Sequence, residues 1–392
     1  MENIRPKVQT KLFGLDHLRA LAILLVLGFH YQRSNFGHPD WVTKLNNIGW
    51  TGVDLFFVLS GFLIASQLFL QINNSQTISI KNFYLKRFFR VIPVYLVVIG
   101  IYFYFPVFWE KEALPPLWKF LTFTQNFGLD QKNYGTFSHV WSLCVEEHFY
   151  LFFPIILIAF QQNKLLKRSY WILLFLFLIG FFIRSYCWNN LYLHKVNDAN
   201  NFAYWMKYIY YPTYNRLDGL LAGVAIASIY QFSPEIWNKI SKYGNQLIIM
   251  SLIILTTSFL FCSQLGKYSP AIIGFPVISI GYGFLVLGAI SPSSFLYKWN
   301  SKTTTMIATL SYAIYLTHKG MIHMAQELFT KIGIDKNGNL MFLICITFCI
   351  LAAWLLNVTI EKPFMKIRDR IIEQKIKSTI TNKASPGLQG QL

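Results

Sequence analysis

Charged residues are scarce in this chain of 392 residues, because Asp, Glu, Lys and Arg together make up 13% of it, against about 25% in ordinary soluble domains. Hydrophobic residues make up 54% and aromatic residues 18%. A soluble fold could not bury that much apolar surface. The composition therefore excludes an ordinary soluble domain and favours a membrane protein.

Acidic residues are scarcer than basic ones, 17 against 35, which gives a net charge of +18. Such a charge can indicate nucleic-acid binding, but here Lys and Arg are distributed over alternate loops and form no single stripe with interleaved aromatic residues. This distribution is typical of membrane orientation. We expect the lipid bilayer as a partner and no nucleic acid.

Cysteine is also rare, and all five cysteines lie in or beside apolar segments. Only Cys345 and Cys349, one helical turn apart, have a spacing typical of metal ligands. We interpret all five as buried apolar residues and predict no metal site. The sequence shows no transporter-like internal repeat and no second soluble domain.

Apolar stretches long enough to cross about 30 Å of hydrocarbon recur along nearly the whole chain. They predict an all-α fold, a polytopic transmembrane bundle of about ten helices. The predicted spans are Leu15–Tyr31, Gly49–Leu70, Phe88–Phe108, His139–Phe160, Tyr170–Trp188, Tyr214–Phe232, Leu247–Cys262, Pro270–Ile290, Met306–Ile322 and Leu340–Thr359.

The loops on the side of the N-terminus hold about twice as many Lys and Arg residues as the opposite loops, so we expect both termini in the cytosol and the protein in the cytoplasmic (inner) membrane. A cleaved signal peptide is the alternative for the first span, but no small-residue cleavage site follows it. Residues 1–365 are predicted to form the membrane domain and residues 366–392 a basic, disordered cytoplasmic tail. Aromatic-rich outer loops, Pro106–Ser138 and Asn189–Thr213, suit caps over a site.

Ionisable residues inside apolar spans are costly unless they face a partner or a wet cavity. The segment GLDHLRALAILLVLGFHY places Arg19 and His30 eleven residues apart, so both project from one helix face, roughly 16 Å apart along the axis. A snorkelling arginine and a satisfied core histidine are the alternative interpretation. The segment GWTGVDLFFVLSGFLIAS places Asp54 at the start of a helix, as a partner of a membrane histidine or arginine or as a helix cap.

The segment FSHVWSLCVEEHFYLFFP concentrates ionisable groups in a span, namely His139, Glu146, Glu147 and His148. The adjacent glutamates lie about 100° apart on a helix, so one is expected to face a cavity and the other a neighbouring helix. Ion pairing with Arg216 or Arg184 is the structural alternative. Polar groups also stand at helix ends, as Arg216 in YNRLDGLLAG and His318 in SYAIYLTHKG.

Arg87 and Arg90 lie three residues apart on one helix face in FYLKRFFRVIPVY. Such a pair can bind phosphate groups by charge-assisted hydrogen bonds. Positive-inside anchoring is the alternative explanation.

These motifs, in this order and over nearly the whole chain, resemble the acyltransferase-3 family of membrane-bound O-acyltransferases. The resemblance is carried by the spacing of Arg19 and His30, by GVDLFFVLSGFLI, by the Arg87 and Arg90 pair and by WSLCVEEHFY; His148 and Cys144 depart from the usual pattern. It implies a ten-helix core, without an added esterase-like domain, that transfers an acyl group, commonly acetyl, from coenzyme A to a hydroxyl of lipopolysaccharide O-antigen, exopolysaccharide, peptidoglycan or a similar molecule. It also implies that His30 is essential, with supporting roles for Arg19, Arg87, Arg90, Glu146 or Glu147.

We expect His30 to act as general base on a carbohydrate or glycolipid hydroxyl, with Glu146, Glu147 or Asp54 orienting its imidazole. Arg19, Arg87 and Arg90 would bind the phosphates of acetyl-CoA, the donor substrate. The acceptor would contact His139, Trp141, Ser142, Arg216 and His318. An acyl-histidine relay stays open beside direct transfer, and a proton-coupled transporter or flippase is the competing class.

Overall fold

The computed structural model describes residues 12–34, 37–74, 76–162, 169–262 and 266–384. Within these ranges the chain is α-helical and contains no strand, so the all-α prediction is confirmed. Its ten principal helices coincide with the ten predicted spans: α1 Phe13–Gln32, α2 Gly52–Asn73, α3 Ile80–Tyr104, α4 Trp141–Gln162, α5 Ser169–Cys187, α6 Asp218–Phe232, α7 Gly244–Phe261, α8 Tyr268–Ile290, α9 Lys302–Lys331 and α10 Asn339–Leu356.

Among the described residues, eight of these helices are long and apolar enough to cross a membrane. The two others are α6, with 15 residues, and α9, which has 30 residues but is more polar. Short helices occupy the connections: Asp40–Asn46, Leu117–Leu121, Asn201–Trp205, Pro234–Ile240 and Phe295–Lys298. The protein is thus an integral membrane helical bundle.

The C-terminal segment differs from the prediction. A π-helical turn, Asn357–Glu361, leads into a further helix, α11, at Lys362–Ala384, where a disordered tail from residue 366 was expected. The segment is rich in Lys, Arg, Glu, Gln and Ile, which are tolerated well in helices, and α11 packs against α3. Residues 385–392 lie outside the described ranges.

Helices α2 and α6 approach each other unusually closely because glycines face the contact. A Cβ atom on Gly61 of α2 would lie 2.1 Å from the backbone oxygen of Leu220, and one on Gly223 of α6 would lie 2.2 Å from that of Val58. Helices α7 and α8 form a second such pair, and α9 packs between α1 and α10. The polar helix α9 therefore runs through the bundle beside α1.

We predict that Gly223→Val destabilises the protein by more than about 2 kcal/mol, because the side chain would collide with backbone atoms of α2. Gly100→Ala is the matched control, since a Cβ there meets no atom within 4 Å and alanine favours helix. Thermal unfolding in detergent measures both. Equal midpoints for Gly223→Val and the wild type would contradict the tight contact.

Candidate active site

Two cavities lie at different depths along α1. The first, called here the histidine cavity, has a volume of about 1000 Å³ and is bordered by His30, His139 and residues of the connections before α4 and before α6. The second, the arginine cavity, has a volume of about 1490 Å³ and is bordered by Arg19, Arg87 and Arg90. Arg19 and His30 thus border different cavities along one helix.

His30 is paired with another histidine. Nε2 of His318 lies 2.9 Å from Nδ1 of His30, and Nδ1 of His318 lies 2.8 Å from the backbone oxygen of Tyr315. A carbonyl can only accept, so Nδ1 of His318 carries a proton and its neutral Nε2 accepts from the Nδ1–H of His30, which also donates to the backbone oxygen of Val26 over 3.0 Å. The Nε2 of neutral His30 is then the unprotonated nitrogen, and it is the one available to bind a proton.

His139 completes a cluster of three imidazoles. Its ring centroid lies 4.8 Å from that of His318 and 5.9 Å from that of His30. Both of its ring nitrogens are buried and make no hydrogen bond within the described part of the chain. Unpaired buried polar atoms are costly, so His139 is suited to contact a bound molecule. The described residues contain no group of three or more His, Cys, Asp or Glu arranged to hold a metal ion.

Glu146 and Glu147 border the arginine cavity and not the histidine cavity. The hydroxyl of Tyr150 donates to Oε2 of Glu146 over 2.7 Å, and the Arg87 guanidinium lies 5.0 Å from the Tyr150 ring centroid. The expectation that these carboxylates orient His30 is wrong for this structure, because His318 occupies that position. Both glutamates border the arginine cavity, because this cavity is wide enough to be reached from two adjacent positions on the helix.

Asp54 does not contact His30 either. Its Oδ1 lies 2.7 Å from Nη2 of Arg216, and both side chains are buried. Arg216 is also surrounded by aromatic rings, with Phe275 at 4.2 Å and Tyr210 at 4.5 Å from the guanidinium carbon. Neither residue borders either of these two cavities, so the structure gives them a buried ion pair and does not place Asp54 or Arg216 where the expected catalytic and acceptor-binding roles require.

A second buried pair joins Arg184 of α5 to Asp218 at the start of α6, also at 2.7 Å. Arg184 donates further to the backbone oxygens of Asn215 and Ile272. Losing one member of a buried pair costs about 3–5 kcal/mol, since the other charge is stranded. The two pairs fix α6 between α2 and α5, and neither involves the glutamates.

The histidine cavity that contains His30 is also bordered by a group of aromatic residues, called here the aromatic wall. It is formed by Trp50, Trp141, Trp205, Tyr210 and Tyr211. Several of these residues come from the connections predicted to cap a site. Rings of this kind can stack against apolar faces of a ligand. The predicted contact residue Trp141 thus borders this cavity, whereas Ser142 borders the arginine cavity.

Tyr315 is the one described residue that borders both cavities. Its hydroxyl donates to the backbone oxygen of His139 and accepts a hydrogen bond from Ser142, with an oxygen–oxygen distance of 2.6 Å. Three residues lie four positions apart on α9, namely Ser311, Tyr315 and Lys319. Ser311 borders the arginine cavity, Tyr315 borders both cavities and Lys319 borders the histidine cavity. Sequence reasoning missed Tyr315 and Lys319, although this spacing was visible beside His318.

Comparison with known proteins agrees with this arrangement. A family model described as an acyltransferase domain matches residues 12–358, most of the chain. The chain belongs to this acyltransferase family. The match confirms the predicted acyltransferase-3 family, and residues 12–358 contain both cavities.

Two relatives illustrate the similarity. The chain is 30% identical over 336 residues to peptidoglycan O-acetyltransferase OatA of Listeria monocytogenes, covering 79% of this chain and 49% of the relative. It is 28% identical over 327 residues to O-acetyltransferase OatA of Staphylococcus aureus, covering 79% of this chain and 50% of the relative. The chain thus spans about half the length of these relatives. No solved structure matches it.

We predict that Tyr315→Ala joins the two cavities, whereas Tyr315→Phe keeps the ring and only removes the hydroxyl. The measurement uses Glu147→Cys in a variant whose native cysteines are replaced by alanine, with a bulky water-soluble maleimide added on the side of the histidine cavity. Labelling should rise at least about tenfold with Tyr315→Ala and less with Tyr315→Phe, because removal of the ring opens a path. Equal labelling of Glu147→Cys with tyrosine or alanine at position 315 would contradict the partition.

Proposed function

We propose that this chain transfers an acetyl group from acetyl-CoA to a hydroxyl of a cell-envelope carbohydrate. One observation carries the proposal: Tyr315 borders both the cavity that contains His30, whose Nε2 is not engaged by the hydrogen bond to His318, and the cavity bordered by three arginines. The names of the two relatives, both O-acetyltransferases, support acetyl as the group transferred. Lipopolysaccharide, exopolysaccharide and peptidoglycan all offer such hydroxyls.

The arginine cavity is the proposed donor site. Guanidinium groups bind phosphate oxygens strongly and with fixed geometry, and Arg19, Arg87 and Arg90 are contributed by two helices, α1 and α3. Coenzyme A carries phosphates at one end and the thioester at the other. With the phosphates on the arginines, the acyl end would extend along Ser142 towards Tyr315.

The histidine cavity is the proposed acceptor site. The acceptor oxygen would attack the thioester carbonyl carbon while Nε2 of His30 takes the hydroxyl proton. The C–S bond then breaks, and the same Nε2–H returns its proton to the thiolate. Throughout, Nδ1–H of His30 donates to His318, which stabilises the imidazolium and keeps Nε2 directed at the reaction. His318 is therefore a positioning residue.

The direction of transfer follows from the proposed orientation. From the distribution of Lys and Arg we propose that both termini, and with them the arginine cavity near the start of α1, lie on the cytosolic side of the cytoplasmic membrane. The histidine cavity then opens on the outer side, where envelope carbohydrates lie. Direct transfer needs the thioester to pass Tyr315, whereas a relay would leave the acetyl group on His30. Labelled acetyl-CoA without acceptor separates them, because only a relay leaves label on the protein.

We predict that His30→Ala abolishes transfer, whereas His318→Ala lowers kcat about 100-fold with little change in KM, because a misoriented base loses most of its contribution. His318→Gln should recover part of kcat, since its amide oxygen can accept from His30. Thiol release from acetyl-CoA and acetyl incorporation in proteoliposomes measure these effects, with size-exclusion profiles as the folding control. Full activity of His30→Ala refutes the proposal; solute uptake without thiol release would indicate a transporter.

We predict that Arg87→Gln with Arg90→Gln raises KM for acetyl-CoA about 10- to 100-fold, because charge-assisted hydrogen bonds to phosphate are lost. Lys86→Gln is the matched control, as this exposed cation lies on the same helix but does not border the cavity. Initial rates at varied acetyl-CoA give the constants. An unchanged KM in the double variant would remove these arginines from the donor site.

A further inference from the structure

The histidine cavity carries unbalanced positive charge. Its described lining contains four permanent cations, Arg33, Lys111, Lys132 and Lys319, and a single carboxylate, Glu110. Charge of one sign in a partly enclosed cavity raises the local concentration of ions of the opposite sign. This excess of positive charge therefore bears on which molecules bind in the cavity, and not only on how the protein is oriented in the membrane.

Glu110 is already occupied. Its Oε1 lies 2.8 Å from Nζ of Lys319 and accepts the backbone N–H of Phe137 over 3.0 Å. Nζ of Lys319 also lies 3.4 Å from Oγ of Ser138. The charges of Glu110 and Lys319 compensate each other in this largely buried pair. Three cations therefore remain without a carboxylate in the cavity wall.

Arg33, Lys111 and Lys132 are exposed and form no ion pair within the described ranges. Asp130 stands near Lys132 but does not border the cavity, and its carboxylate accepts the backbone N–H groups of Lys132 and Asn133. Arg33 lies three residues beyond His30, at the end of α1, and its guanidinium carbon is 5.5 Å from the ring centroid of Phe29, another residue that borders the cavity. A cation without an ion-pair partner thus borders the same cavity as the proposed base.

We propose that the acceptor is an anionic glycan, in which the hydroxyl that is acetylated lies near a carboxylate or phosphate group held by Arg33, Lys111 and Lys132. The inference rests on the proposed acetyl transfer at His30 and names the substrate class for that site. The apolar face of the sugar ring would pack against three residues of the aromatic wall, Trp50, Trp205 and Tyr210. The cations would receive its charge and fix which hydroxyl meets Nε2 of His30.

The alternative is that these cations only keep the rim of the cavity hydrated. In that case the protein would not discriminate between neutral and anionic acceptors. Three further cations provide a matched control of equal charge, since Lys195, Lys207 and Lys336 lie on connections of the same side and do not border the histidine cavity.

The test compares three soluble acceptors of equal length in proteoliposomes: a neutral N-acetylglucosamine oligosaccharide, its analogue with lactyl carboxylates and its analogue with phosphate monoesters. For the wild type, KM for at least one anionic acceptor should be about tenfold or more below that for the neutral one, and the difference should shrink as salt rises. The variant with Arg33→Gln, Lys111→Gln and Lys132→Gln should lose this difference. The control variant with Lys195→Gln, Lys207→Gln and Lys336→Gln should keep it.

Which anionic acceptor gains most identifies the anionic group, carboxylate or phosphate. Equal KM values for all three acceptors in the wild type, or equal behaviour of the two triple variants, would overturn the inference while acetyl transfer itself stands. Absence of thiol release from acetyl-CoA by the wild type with every acceptor would instead refute the proposed function. The two failures are therefore distinguishable.

Discussion

An ionisable side chain among membrane helices must find either an opposite charge or water, because hydrocarbon offers it neither. This chain satisfies the requirement in both ways, and in separate places. Arg216 with Asp54, and Arg184 with Asp218, are buried as ion pairs between helices. Arg19, Arg87, Arg90 and the two glutamates instead border a large cavity. The first group joins α6 to its neighbours, and the second lines the proposed donor site.

The polarity of α9 follows from the same constraint. This helix is too polar to resemble an ordinary membrane span, yet it runs beside α1 and presents Ser311, Tyr315 and Lys319 on one face along both cavities. His318, which lies on the same helix next to Lys319, forms a hydrogen bond with His30. A single helix thus supplies the partition between the cavities and the partner of the proposed base.

A histidine in place of a carboxylate as the partner of His30 has a physical consequence. A neutral imidazole fully buried beside the base needs no counter-charge, whereas an ionised carboxylate at that depth would require one. His318 is fully buried and hydrogen-bonds to backbone carbonyls of its own helix. The orientation of His30 is therefore fixed without adding charge to the apolar centre of the bundle.

The sequence by itself determined the bundle, the positions of its ten principal helices, the family and the division of Arg19 and His30 between two depths, because span length and helical spacing are local properties. It did not determine which polar groups meet. Asp54 and Glu146 each had plausible partners in the sequence and His318 had none, and only the tertiary structure assigned Asp54 to Arg216, Glu146 to Tyr150 and His318 to His30. These choices depend on how helices distant in the chain rotate and pack, and no local pattern encodes that rotation.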